Sequence, residues 1–330
     1  MIVHRHVKSK GKDNKGREKI LFEYKDARGR VINDEAVIAK IMAVRVPPAY
    51  TDVEIDLDPK AKVFAKGKDI AGRRQYIYNP RYVNGQSAKK YCNLIKFGRE
   101  LPRIKSKVDK MIRGGKGKDK MIGLVLRVIM QCNFRIGNEV YKKKHNSYGI
   151  TTLESNHIKI KGEGKAHIKF VGKKGVVNEC MVKNGVLVNE LRELIDKRGG
   201  KKGEGIFMYK EGKELKRVCA IEVNNFLRSF GPFTSKSFRT WEANIVMFKK
   251  LMGVGVEKAV TKRKRVVAGL VKEVAVELHH TPAICRRSYL VPGILGLYVD
   301  HPTKFADLKK RFKGGMELGE VLISYLKEIC

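Results

Sequence analysis

The chain has 330 residues, and its 71 Lys and Arg against 34 Asp and Glu give a formal charge of +37 at pH 7. That length allows about two domains and an ample core, and 42% hydrophobic residues exclude a disordered tail. So large a positive excess on a folded protein implies a polyanionic partner, with nucleic acid the usual one and a membrane surface its competitor. No run approaches the roughly 18 apolar residues of a membrane-spanning helix, and MIVHRHVKSKGK at the start lacks the apolar centre of a signal peptide. Cys92, Cys132, Cys180, Cys219, Cys285 and Cys330 lie far apart with no C-x-x-C, which suggests neither a disulfide framework nor a zinc site. Reduced thiols in a soluble intracellular protein are expected.

Residues 1–85 are predicted to be mostly β. ILFEY (Ile20–Tyr24), TDVEID (Thr51–Asp56) and RRQYIY (Arg73–Tyr78) have strand composition with turn residues between them. A basic turn or hairpin lies in KSKGKDNKGREK before them. In RRQYIY, Arg73, Gln75 and Ile77 share one face, and Arg74, Tyr76 and Tyr78 the other. Such a strand suits phosphates and base edges; it also fits an amphipathic edge strand. NPRYVNGQS (Asn79–Ser87) carries proline, glycine and asparagine, and the periodicity changes after it, so the domain boundary is placed at 85/86.

From there the pattern is helical. Leu94, Phe97, Leu101, Ile104, Val108 and Ile112 recur at helical spacing, with Pro102 expected to kink or divide the helix. GGKGK (Gly114–Lys118) reads as a basic loop. A second stripe from Met121 to Cys132 runs into RIGN, where Gly137 is the expected C-cap and Arg135 would stand near the helix end. An arginine there is more often a salt-bridge anchor than a catalyst. HIKIKGEGKAHIKFVGKKGVVNECMV (His157–Val182) alternates between glycines and predicts a hairpin or three-stranded sheet with Lys173 at a tip. The remainder is predicted as helices over 184–198, 217–229, 235–251, 263–278, 302–312 and 315–329, with Arg239 in the early turns of the third. In HHTPAICRRSYL, Thr281 is an N-cap and Pro282 the first helical residue, with Tyr289 about two turns in and His280 just outside the positive helix end, where an anion is welcome. The fold class is therefore α+β: a small β-rich domain over 1–85 and a larger, mostly helical domain over 86–330 with a β-hairpin insert.

GRRQY (Gly72–Tyr76), FRIGNEVY (Phe134–Tyr141), SYGITTL (Ser147–Leu153), KFVGK (Lys169–Lys173), FRT (Phe238–Thr240) and HTPAICRRSY (His280–Tyr289) occur in an order that resembles the type IB DNA topoisomerases. The likeness is to the compact form of poxviruses, other large DNA viruses and some bacteria, and it spans about residues 51 to 290. The resemblance implies a catalytic fold shared with tyrosine recombinases and a cycle of transient strand cleavage, swivelling and religation. Tyr289 would be the nucleophile that forms a 3′-phosphotyrosyl link. Arg135, Arg239 and His280 would hold the phosphate oxygens, and Lys173, helped by Arg135, would protonate the leaving 5′ oxygen. DNA contacts are expected from Arg73, Arg74, Gln75, Tyr76 and Tyr78 of the β-rich domain on one side of a double-stranded DNA, and from Asn244 of the helical domain, which would carry the chemistry on the other. A monomer without cofactor or metal is expected. If the source is viral, the host-cell cytoplasm and possibly the virion are the implied sites, and if bacterial, the cytoplasm.

These residue types also make chemical sense directly. An attacked phosphodiester is anionic, and fixed donors aimed at its oxygens contribute roughly 10²–10³-fold each. A positioned acid contributes roughly 10²–10⁴-fold to expulsion of a poor leaving group. Arginine stays charged and grips two oxygens, whereas lysine can release a proton. Covalent catalysis conserves the bond energy, and no G-x-x-x-x-G-K-[ST] is present. Departures from the poxvirus wording are His279 where that family usually has glycine, Asn138 after Gly137, and Lys174 where that family has aspartate. His279 remains an alternative to His280. A tyrosine site-specific recombinase is the nearest rival; it usually has histidine three residues before the second arginine, where this chain has Lys236. A non-enzymatic basic DNA-binding protein would explain the charge but not the co-occurrence of the five residues.

Overall fold

A computed structural model describes residues 1–12, 16, 18–162, 164–197, 203, 205–313 and 315–329. The chain divides into two units, Met1–Lys90 and Tyr91–Cys330. The first is built on β1 (Ile2–Lys12), β2 (Glu18–Asp26), α1 (Glu35–Ala43), β3 (Thr51–Asp56), β4 (Val63–Lys68) and β5 (Arg74–Tyr78). Its five strands are antiparallel in the order β2-β1-β3-β4-β5. The expected basic hairpin joins β1 and β2, though residues 13–15 and 17 of its turn lie outside the described residues. Helix α1, absent from the sequence reading, starts where the Asp34 carboxylate accepts the Ala36 and Val37 N–H groups. It adds Ile41 to a core of Val3, Val53, Ile55 and Ala65.

The expected loop at 79–87 is instead the start of a long helix, α2 (Pro80–Gly114). Asn79 caps it by accepting the Arg81 N–H at 2.9 Å, and Pro80 loses nothing at the first helical position. The division between units falls within α2. Pro102 does not divide the helix: it lies on the exposed side, while Leu94, Phe97, Leu101, Ile104, Val108 and Ile112 are buried on the other. Packing of that stripe outweighs the one backbone hydrogen bond that proline removes.

In the second unit α3 (Gly117–Cys132) is buried nearly all round, from Met121 to Cys132, and is the helix about which the others gather. After it come α4 (Glu139–His145), then β6 (Ile158–Ile160), β7 (Ala166–Val171) and β8 (Val177–Val182), which form the expected three-stranded sheet in that order. The chain continues with α5 (Gly185–Asp196), β9 (Met208–Glu211), β10 (Glu214–Arg217), α6 (Ala220–Arg228), α7 (Ser235–Gly253) and α8 (Val260–Glu277). It ends with α9 (Pro282–Ser288), α10 (Pro292–Asp300), α11 (Pro302–Lys313) and α12 (Leu318–Ile329). The β9–β10 hairpin turns through Gly212 at φ 62° inside a stretch expected to lead into helix, and α4 and α10 were not anticipated. Helix α7 lies against α3, α8 and α12. A Cβ on Gly98 would come within 2.4 Å of the Trp241 ring, so glycine is what lets the middle of α2 meet α7 closely. The α+β architecture is thus a β-sheet unit with one covering helix and a larger helical unit with a β insert.

Two local expectations are corrected. Helix α3 ends at Cys132 with Asn133 in the left-handed conformation (φ 55°), its N–H returning to Ile129 O. Asn133, not Gly137, is the cap, and Arg135 stands in the loop beyond the helix. Asparagine tolerates that conformation well, and the last buried apolar residue of α3 immediately precedes it. Cys132 and Cys180 form a disulfide, contrary to the expectation of reduced thiols throughout. Their 48-residue separation hid a pairing that only the packing of β8 on α3 creates.

Candidate functional site

Three segments converge on Tyr289. The first is α9, where Pro282 occupies the first turn and the Thr281 hydroxyl accepts the Ile284 N–H at 3.4 Å. Tyr289 follows the last helical residue, with φ −127° and ψ −38°, rather than lying inside the helix as expected. Its ring stacks on His280, with centroids 4.1 Å apart and planes at 28°. His280, rather than His279, is therefore the tyrosine's neighbour.

The second segment is α7. Arg239 is buried, its Cζ 5.6 Å from the Tyr289 ring centroid. Its Nη2 donates to Leu278 O at 2.8 Å and also contacts His280 Nε2. A guanidinium can only donate, so His280 Nε2 accepts and the imidazole proton is assigned to Nδ1. Arg239 Nε and Nη1 and His280 Nδ1 are buried with no hydrogen-bond partner among the described residues. One turn earlier on the same face is Lys236, its Nζ 5.4 Å from the Tyr289 ring centroid. Lys236 had been weighed only as a departure from recombinases. Its place three residues before Arg239 was the available signal.

The third segment is the loop after α3. Arg135 Nη1 donates to His279 O at 3.3 Å. Its backbone is held by Ile150 N–H to Arg135 O at 2.9 Å and Thr151 N–H to Ile136 O at 2.8 Å. Gly137 (φ 96°) and Gly149 make this possible: a Cβ on Gly149 would meet Gly137 Cα at 2.4 Å and Arg135 O at 2.7 Å. RIGN and SYGITT are thus the two halves of one brace.

The electrostatics follow from three cations around a phenol. Burial pushes the Tyr289 hydroxyl up, but the charges of Arg239, Arg135 and Lys236 outweigh it and hold the group below the ordinary tyrosine value. Burial brings Arg239 down to about 10, leaving it charged at neutral pH. Burial first, then Arg239 and Arg135, lower His280 to about 3, so its ring is neutral. A buried guanidinium with unpartnered N–H groups, a half-buried Arg135 and an exposed Lys236 around an acidified hydroxyl can hold an anionic group beside a nucleophile.

The other expected residues are placed differently. Lys173 sits at the turn between β7 and β8, exposed, and forms no hydrogen bond or ion pair with a described residue. Asn244 is corrected as a DNA contact: it is fully buried on α7. Its amide donates to Thr240 O at 2.7 Å and Tyr289 O at 2.9 Å and accepts the Val291 N–H at 2.9 Å. It ties Arg239's helix to the backbone of the tyrosine. In the first unit the β5 alternation is as expected: Arg74, Tyr76 and Tyr78 are exposed, while Gln75 donates to Asp69 at 2.8 Å. Arg73 forms an ion pair with the same carboxylate at 2.8 Å. Lys66, Lys68 and Arg74 flank His4, Arg5 and His6 around a cavity of about 550 Å³ on this sheet.

Residues 80–291 match the family model of the eukaryotic DNA topoisomerase I catalytic core, and residues 21–69 that of the bacterial DNA topoisomerase IB N-terminal domain. The chain belongs to the type IB DNA topoisomerases, a family of isomerases. It is 29% identical over 325 residues to the DNA topoisomerase 1B of Acanthamoeba polyphaga mimivirus, covering 96% of this chain and 95% of that protein. It is 26% identical over 288 residues to the DNA topoisomerase 1B of vaccinia virus, covering 85% and 88%. A solved XerH site-specific recombinase aligns at 16% identity and TM-score 0.34 over 66% of this chain and 54% of that one, too loosely to bear on function. Among the described residues, no helix is long and apolar enough to cross a membrane.

Proposed function

We propose that the protein relaxes supercoiled double-stranded DNA by transient cleavage of one strand, acting as a monomer without ATP or metal. Tyr289 Oη attacks a backbone phosphorus, the phosphorus–5′-oxygen bond breaks, and a 3′-phosphotyrosyl link and a 5′-hydroxyl result. The nicked duplex swivels, and the 5′-hydroxyl attacks the phosphotyrosine to restore the strand and release Tyr289. Arg239, with donors already buried, and the half-buried Arg135 take the non-bridging oxygens. His280 supplies its Nδ1–H as a neutral donor. Lys173 is delivered from the hairpin tip to protonate the leaving oxygen. The exposed Arg74, Tyr76 and Tyr78 of the first unit contact the duplex. Arg73 and Gln75 do so after releasing Asp69 or through their remaining donors.

The observation that carries this reading is Tyr289 stacked on His280 beside the buried Arg239, with Nε and Nη1 unpartnered and the phenol held below its usual pKa. The decisive experiment is relaxation of supercoiled plasmid in EDTA without ATP, beside Tyr289→Phe, followed by a denaturing gel for protein–DNA adduct. Relaxation with an adduct that vanishes in the variant is expected. Adduct without relaxation would replace this reading with a recombinase, and binding alone would leave a DNA-binding protein.

A further inference from the structure

The Cys132–Cys180 disulfide joins two parts of the site that otherwise meet through packing and one backbone hydrogen bond, Tyr148 N–H to Val171 O at 2.9 Å. Cys132 is the last residue of α3, three positions before Arg135, and it is buried. Cys180 is half-buried on β8, opposite Ile168, and only the pairs Lys169–Glu179, Phe170–Asn178 and Val171–Val177 separate it from the Lys173 turn. That turn is itself firm: Gly172 N–H donates to Val176 O at 2.8 Å, and Gly175 N–H donates to Gly172 O at 3.1 Å. The hairpin end therefore moves as a piece, and the disulfide sets what it can move against. On the Arg135 side, Phe134 is packed edge-on against Phe170, centroids 4.9 Å apart. The disulfide borders a cavity of about 600 Å³ whose other lining includes Glu179, Glu277, His279 and His280, so a small thiol has access to the sulfurs from the active-site side.

We infer that Cys132 and Cys180 form a reversible thiol–disulfide exchange site, worked by a small-molecule thiol and its disulfide, that governs delivery of Lys173. The inference rests on the proposed acid role of Lys173. With the bond closed, the hairpin and the Arg135 segment are cross-linked, and Lys173 stands exposed with no polar partner among the described residues. Opening the bond leaves the Tyr148–Val171 hydrogen bond and the Phe134–Phe170 contact as the ties at its base, and lets the turn beyond them swing relative to Arg135 and bring the ammonium to the leaving oxygen. In the closing direction, the thiolate of Cys180, the more accessible residue, attacks a sulfur of the small disulfide and expels one thiolate. Cys132 then attacks the mixed disulfide through its own thiolate and expels the second. Two cysteine thiols are oxidised, one small disulfide is reduced to two thiols, and the two cysteine protons pass to the expelled thiolates. Reduction runs the same steps backwards.

The test uses the full chain equilibrated with reduced or oxidised glutathione, with cysteine pairing read by alkylation and mass spectrometry. Single-turnover cleavage is then timed for wild type, Cys180→Ser and Lys173→Ala. A positioned acid is worth roughly 10²–10⁴-fold, so oxidised wild type should cleave at least about tenfold more slowly than reduced. The loss should be reversed by thiol. Cys180→Ser should match the reduced rate in both buffers, and Lys173→Ala should be slow and insensitive to redox state. Equal wild-type rates with the bond verified, faster cleavage when oxidised, or no bond formed would each overturn the inference. Lys173→Ala cleaving as fast as reduced wild type would instead sink the acid role.

Discussion

The two halves of the proposed chemistry are built in opposite ways. The pocket around Tyr289 is assembled from three segments, with Arg239 and His280 buried and Asn244 bonding the tyrosine's own backbone. The hairpin presents Lys173 to solvent at its turn, and the lysine side chain has no polar partner among the described residues. A group that stabilises charge gains from being fixed and dry, because it needs no reorganisation when the charge develops. A proton donor must meet a leaving group whose position depends on bound DNA, and mobility serves it better. The contrast predicts that the pocket residues also carry stability, whereas Lys173 carries rate alone.

The largest effect should come from Tyr289→Phe: the adduct and relaxation both disappear while filter-binding affinity for duplex stays near wild type. Next, Lys173→Ala should slow cleavage by roughly 10²–10⁴-fold. A substrate with sulfur in place of the bridging 5′ oxygen should restore most of that loss, because a thiolate leaves without an acid. The thermal midpoint should not move, and a shift of several degrees would break the contrast. Arg239→Ala should cost roughly 10²–10³-fold with no rescue by the sulfur substrate.

Asn244→Ala tests the other side. It strands the Val291 N–H and the Tyr289 carbonyl in the core, each worth about 1–3 kcal/mol when left unsatisfied, while Thr240 O keeps its helical partner. Calorimetry should register a fall of several degrees, with slower cleavage following from a displaced Tyr289. The smallest effect is the pH dependence of stability. His280 falls from 6.5 to about 3 on folding, so the folded state binds fewer protons than the unfolded state between those values. Its contribution is therefore present above about pH 6.5 and lost as pH falls towards 3. His280→Gln should flatten that part of the melting profile, and an unchanged slope would mean the ring is not held neutral.

Much of the site was legible because its residues sit in local sentences. FRT, HTPAICRRSY and RIGN each fix a helix start or a loop a few residues long, so order and spacing brought Arg135, Arg239, His280 and Tyr289 together. What misled was also local. Asn79–Ser87 looked like a linker because it holds Pro, Gly and Asn, yet Asn79 and Pro80 are a helix start. Gly137 looked like a helix cap because glycine usually is one, but its positive φ serves the close approach of Gly149. His279 shows the reverse: at φ 53° it occupies a conformation that favours glycine, the residue from which it departs.

By itself, the sequence determined the class of partner through its charge, the α+β division through its change of periodicity, and the family through six short motifs. These properties are sums over residues or patterns within a turn or two, so no distant contact is needed to read them. Only the tertiary structure decided that Asn244 bonds to Tyr289 rather than to DNA, that Lys236 lies over the tyrosine ring, and that Cys132 meets Cys180. Each depends on two segments brought side by side by the burial of α3 and α7, and burial decides contacts between residues whose separation along the chain carries no signal.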